Sequence, residues 1–144
     1  MIIMNDSQAV IMVIEKKILT QLNKALKCSY SPYSKFKVAA LIETTNGKTY
    51  AGCNIENSSF GVTICAERTA IGNAIIHGDR HFKRIYIMTP TEKFCPPCGL
   101  CRQAIAEFGI DIEIILVNQF SKIQKTSIKE LLPLPFGTDN LEKR

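Results

Sequence analysis

Along the first part of the chain hydrophobic residues recur at helical spacing. Asp6 and Ser7 are good helix N-caps, and behind them Val10, Ile11, Ile14, Ile18, Leu19, Leu22, Ala25 and Leu26 form one apolar stripe, which predicts an amphipathic helix. The pattern then breaks at "YSPYSKF" (30–36), a loop interrupted by Pro32. Two strand-like runs follow in "KVAALIETTNGKTYAGCNI" (37–55), on either side of Asn46-Gly47, and predict a β-hairpin. Over 65–76 the pairs Ala70-Ile71 and Ala74-Ile75 return to helical spacing, and Gly78 stands where such a helix would stop. "RIYIMTP" (84–90) and "DIEIILVN" (111–118) are short, β-branched and bounded by turn residues. Between them "CGLCRQAIAEFG" (98–109) reads as a helix ending at Gly109. Strand, helix and strand in that order predict a parallel, right-handed crossover, and hence one mixed sheet with helices on both faces.

With 144 residues, 46% of them hydrophobic, the chain can bury one real core, and no repeat or linker divides it, so a single domain over 1–144 is expected. The formal charge of +5 comes from basic residues scattered in pairs such as Lys16-Lys17 and Lys143-Arg144. Scatter without interleaved aromatics predicts a solvated surface and no nucleic-acid partner. The run "AVIMVI" (9–14) gives way at once to Glu15-Lys16-Lys17. It is too short to span a membrane and lacks a cleavage pattern, so a cytoplasmic location is expected. There the six cysteines stay reduced, and their clustering points to metal or catalysis.

"FCPPCGLC" (94–101) contains two overlapping Cys-x-x-Cys pairs, and spacing alone does not choose between them. The helix does. Pro97 suits a first helical turn, which places Cys98 and Cys101 at i and i+3 on one face of the opening turn, where the helix dipole favours thiolates. Cys65 has a similar setting behind Thr63. Three thiolates from two helix starts make an open site, and zinc with three protein ligands keeps a position for water. Other readings compete. Cys28 and Cys53 read as small buried hydrophobes, and Cys95, on the extended Pro-Pro approach, as a bystander and not a fourth ligand. A thioredoxin-like role would leave Cys65 and Glu67 unused. His77 reads as a helix C-terminal charge and His81 as a loop residue.

Two residues past Cys65, Glu67 stands near the expected metal without having to bind it, as a proton shuttle would. Taken alone it is an ordinary first-turn glutamate in solvent. Three thiolates leave a zinc centre net negative, and the permanently cationic Arg68 can offset that charge.

"CAERTAIGNA" (65–74) followed by "PCGLCRQAIAEF" (97–108) resembles the zinc-dependent cytidine deaminase family, in particular its small homotetrameric three-cysteine type. The likeness runs from "YSPYSKFKVAAL" to "LLPLPFG", most of the chain. It implies an α/β fold, a three-layer α/β/α cytidine-deaminase-like arrangement with a mixed five-stranded sheet. It also implies Zn2+ held by Cys65, Cys98 and Cys101, with Glu67 carrying protons as a zinc-activated water converts cytidine or deoxycytidine to the uridine product, a pyrimidine-salvage reaction. "GCNIEN" (52–57) is similar to the family's nucleoside-gripping segment. The resemblance thus assigns Asn54 and Glu56 to the ribose hydroxyls, Phe36 to the face of the base and Ala66 to backbone contacts with it. Read without the family, Asn54 and Glu56 are a solvated strand-end pair and Phe36 is core. The sequence has Pro96 where relatives carry a small hydroxyl residue and Ala39 where glycine is common; Pro96 still offers its carbonyl. The family also implies a homotetramer, with Phe136 a candidate to reach a neighbouring site. Blasticidin-type deaminases share the zinc motifs, although Gln103 and "NIEN" lean toward cytidine. A polynucleotide editor would need a basic groove that is absent from the sequence, and a zinc-ribbon-like module would use its metal only to fold.

Overall fold

The structure is a computed structural model that describes residues 14–141. At the predicted hairpin, Gly47 adopts φ +83°, and the amide of Thr44 donates to Lys48 O at 2.9 Å, closing the turn between β1 (Ala39–Thr44) and β2 (Thr49–Cys53). β1 then pairs antiparallel with β3 (Phe82–Met88), Leu41 facing Tyr86. β3 pairs parallel with β4 (Glu113–Val117), Ile87 facing Leu116, as the crossover predicted. An antiparallel β5 (Ile123–Ser127) completes a mixed five-stranded sheet of order β2-β1-β3-β4-β5.

Alternation along the strands sends successive side chains to opposite faces. Ala39, Leu41, Tyr86, Met88, Ile115 and Val117 pack beneath α1 (Lys16–Cys28), against Ile18, Leu22 and Ala25. Ala40, Ile42, Ile85, Ile87, Ile114 and Leu116 face the other way, against α2 (Ala66–Ile76) and α3 (Gly99–Ala106). Helices on both faces give the three-layer α/β/α arrangement. Gly78, at φ +86°, ends α2 as predicted, its amide donating to Ile75 O.

Three features differ from expectation. Among the described residues the first helix begins at Lys16, with Glu15 in an extended conformation, so Ile14 of the stripe precedes the helix; Asp6, Ser7, Val10 and Ile11 lie outside the described residues. β5 and the short α4 (Ile128–Leu131) were not predicted, because β5 reads "IQKTS", a polar edge strand with a weak pattern. Cys28 is exposed at the end of α1 and Cys53 is half-buried, so neither is a small buried hydrophobe. Among the described residues no helix is long and apolar enough to cross a membrane.

Candidate metal centre

Cys65 is the N-cap of α2 and Cys98 the N-cap of α3. Each has extended dihedrals, and its carbonyl accepts the first helical hydrogen bond, from Thr69 N at 3.1 Å and Arg102 N at 3.0 Å. Serine or aspartate at an N-cap usually folds back onto the helix amides; neither cysteine does, which leaves both sulfurs to point outward. Cys101 follows at the third helical position of α3 and is fully buried. Pro97 therefore precedes the cap and is not in the first turn, because Cys98 itself keeps the extended backbone that a cap requires.

The three sulfurs lie within 4.8 Å of one another, with Cys65 and Cys98 separated by 3.9 Å. Zn–S bonds of about 2.3 Å in a tetrahedron put sulfurs roughly 3.8 Å apart, so the donor set and its spacing fit zinc. Cys95 is not one of the three; its Sγ faces its own neighbour, Pro96 O, at 3.8 Å. Three protein ligands leave one corner of a tetrahedron to solvent or substrate.

Glu67 lies on the first turn of α2 and is only 4% exposed, which excludes the solvated-surface alternative. Burial pushes its carboxyl pKa up, and the charge of Cys65 adds to the effect. A carboxyl held this way accepts a proton readily. The Cys65 thiol is lowered to about 5, chiefly because Cys101 donates to it and also because the Arg68 guanidinium faces it. Cys101, the donor in that pair and desolvated beside Glu67, is pushed up. Arg68 donates from Nη2 to Thr63 O at 3.2 Å, while its buried Nε finds no hydrogen-bond partner among the described residues. Three thiolates against a divalent cation leave one negative charge, and one guanidinium balances it.

Asn54 is 8% exposed and not solvated as the strand-end alternative had it. Its Nδ2 donates to Phe36 O at 2.7 Å, and its Oδ1 accepts from Val38 N at 2.9 Å and from Ser29 Oγ. Asn54 therefore pins both sides of Phe36. The Phe36 ring is 40% exposed, so it is not a core residue. Glu56 accepts from Tyr33 N at 2.9 Å, Ser34 N at 3.2 Å and the Ser34 hydroxyl, the last of which does most to hold its carboxyl below the usual range. Tyr33, Ser34, Glu56, Phe60 and Thr63 line a hollow of about 410 Å³. None of the three cysteines lines it; its wall residue Thr63, whose carbonyl Arg68 holds, precedes Cys65 by two positions. Ala66 is fully buried at the foot of α2, and the carbonyl of Pro96 lies on the approach to Cys98. His77 caps α2 and bonds Asn73 O through Nδ1 at 2.7 Å, and His81 is exposed ahead of β3, both as predicted.

Gly52 has a structural role that the sequence reading did not use. A Cβ there would meet Ala70 N at 2.3 Å and Ala66 O at 2.5 Å, so only glycine lets α2 sit this close to β2. An isolated glycine within a strand pattern is the signal that marks such an approach.

Comparisons with known proteins agree with this geometry. The family described as "Cytidine and deoxycytidylate deaminase zinc-binding region" matches residues 12–117. A cytidine deaminase of Sporosarcina psychrophila is 42% identical over 127 residues, covering 88% of this chain and 93% of that protein. A crystal structure of cytidine deaminase from Burkholderia pseudomallei superposes with a TM-score of 0.79 at 38% identity, covering 85% of this chain and all of that one. A blasticidin-S deaminase of Bacillus cereus is 32% identical over 111 residues, covering 72% of this chain and 79% of that protein.

Proposed function

Because this chain belongs to the cytidine and deoxycytidylate deaminase family and is a zinc-dependent hydrolytic deaminase of cytidine, we propose that Cys65, Cys98 and Cys101 hold the zinc and that Glu67 is the proton carrier. The observation that supports this assignment is one buried carboxyl beside three sulfurs within 4.8 Å of one another. Zinc held by these three residues would supply an activated water at its open position, with Arg68 offsetting the thiolate charge that blunts this effect. Glu67 takes a proton from the attacking water and hands it to ring N3 as oxygen adds at C4. It then carries a second proton to the amino group, the C4–N bond breaks, ammonia leaves and the oxygen remains as the uracil carbonyl. Buried and with a raised pKa, Glu67 is suited to holding a proton between these transfers.

Substrate recognition follows from the same loops. Phe36 faces the base, Glu56 addresses the ribose hydroxyls from the wall of the hollow with Asn54 on the same segment, and Ala66 offers backbone contacts. Arg68 balances the excess charge of the thiolates. A site that hydrogen-bonds ribose hydroxyls disfavours a free base, which lacks the groups those contacts need. The reading extends to deoxycytidine, to pyrimidine salvage in the cytoplasm, and to one deaminase domain assembled as a homotetramer in which the exposed Phe136 ring serves a neighbouring site.

Incubation of the purified protein with cytidine, followed by ultraviolet change and ammonia release, tests the assignment. Glu67→Gln is expected to keep zinc and fold while losing about 10²–10⁴-fold in kcat, and a chelator-treated sample to lose turnover until zinc is restored. A Glu67→Gln variant that turns over cytidine at the wild-type rate would remove Glu67 from the mechanism.

A further inference from the structure

We infer that Arg102, the residue after Cys101, is a positioning residue of the metal centre: its guanidinium braces the loop that delivers Cys98 against the C-terminal segment. The inference rests on the ligand assignment above. Arg102 Nε donates to Pro97 O at 2.8 Å, one residue before Cys98. Nη1 of the same group donates to Leu131 O at 3.0 Å, and the backbone amide of Arg102 donates to Cys98 O. One residue thus holds two consecutive carbonyls at the α3 cap and a third far along the chain.

The loop has a physical need for this. Residues 94–98 lie in no helix or strand, and Pro96 and Pro97 bring no N–H with which the loop could anchor itself at those positions. The loop is held at this point through a carbonyl instead, Pro97 O taking its donor from Arg102. Leu131 ends α4, and the last carbonyls of a helix lack partners within it, so Leu131 O is a natural second acceptor. α4 is a firm support. The Ser127 side chain and Glu130 form a capping box, Lys129 N donates to Ile110 O at 2.8 Å, and Ile128 is fully buried. The next residue extends the contact, Gln103 Nε2 donating to Phe136 O at 2.8 Å. The planar fork of arginine can satisfy two carbonyls in different directions, which the single ammonium of lysine cannot do from the same stem. The segment from Leu131 to Phe136 then supports the metal centre although it contributes no ligand.

The test compares zinc-loaded wild type with Arg102→Gln, Arg102→Lys and, as a control on the core side of the same helix, Ile105→Val. Zinc release to a chromophoric chelator is followed together with melting temperature and with kcat and KM for cytidine. Arg102→Gln is expected to release zinc roughly tenfold or more faster and to lose a similar factor in kcat, as loss of a ligand's outer support does. Arg102→Lys, which keeps the charge, should also release zinc several-fold faster, with kcat falling and KM held, which separates the brace from any failure to fold. Ile105→Val should lower the melting temperature and leave zinc release unchanged. Wild-type release rates in both Arg102 variants, or equally fast release from Ile105→Val, would overturn the inference. A wild type that binds zinc yet leaves cytidine intact would sink the functional reading while the release comparison still stands.

Discussion

The two faces of the sheet are packed on different terms. Under α1 the contact is made by Ile18, Leu22, Leu41, Met88, Ile115 and Val117, whose flexible side chains separate helix backbone from strand backbone. Under α2 the facing residues are Ala66, Ala70 and Ala74, all fully buried, and the helix backbone rests almost directly on Gly52. Side chains can repack when a volume changes, but backbone resting on backbone cannot. The candidate metal centre is built on the second face, where α2 cannot slide, and Cys65 and Glu67 gain their fixed depth from that.

The sharpest test of the contrast is Gly52→Ala. Its Cβ has no room at 2.3 Å from Ala70 N, so α2 must shift and carry Cys65 away from Cys98 and Cys101. Misplacement by about 1 Å can cost on the order of 10²-fold. A fall of that size in kcat/KM, with reduced zinc content, is expected in steady-state assays and metal analysis. On the other face Leu22→Ala should cost about 2–5 kcal/mol of stability by denaturant titration, yet leave kcat/KM of the folded enzyme within about twofold. A large kcat effect there would erase the distinction between the faces.

An intermediate effect is expected at the loop pinned by Asn54. Asn54→Ala leaves Phe36 O and Val38 N without their partners and should raise KM about tenfold, at roughly 1–3 kcal/mol in stability. The smallest effect is expected far from the site, at Asp79, whose carboxyl is held below its ordinary range first by the Tyr50 hydroxyl and then by Lys48 at 3.5 Å. Because the folded pKa lies below the unfolded one, this contribution is complete above about pH 4 and is lost as pH falls below that. Melting temperatures of wild type and Asp79→Asn should differ slightly at pH 7 and converge in acid.

What the sequence determined by itself was local. The Asn46-Gly47 hairpin, the helices behind Cys65 and Cys98, and the parallel crossover are written in turn chemistry and periodicity, which act over a few residues. Ser127 and Glu130 also carry a legible capping-box signal for α4. The likeness of two separated motifs to one family supplied the rest of the ligand set. Only the tertiary structure decided that Glu67 and Asn54 are buried, that Phe36 stands half-exposed, that α2 lies against Gly52, and that Arg102 joins the Cys98 loop to α4. Burial and contact between distant segments depend on what the rest of the chain places alongside a residue. No window of neighbouring positions contains that information.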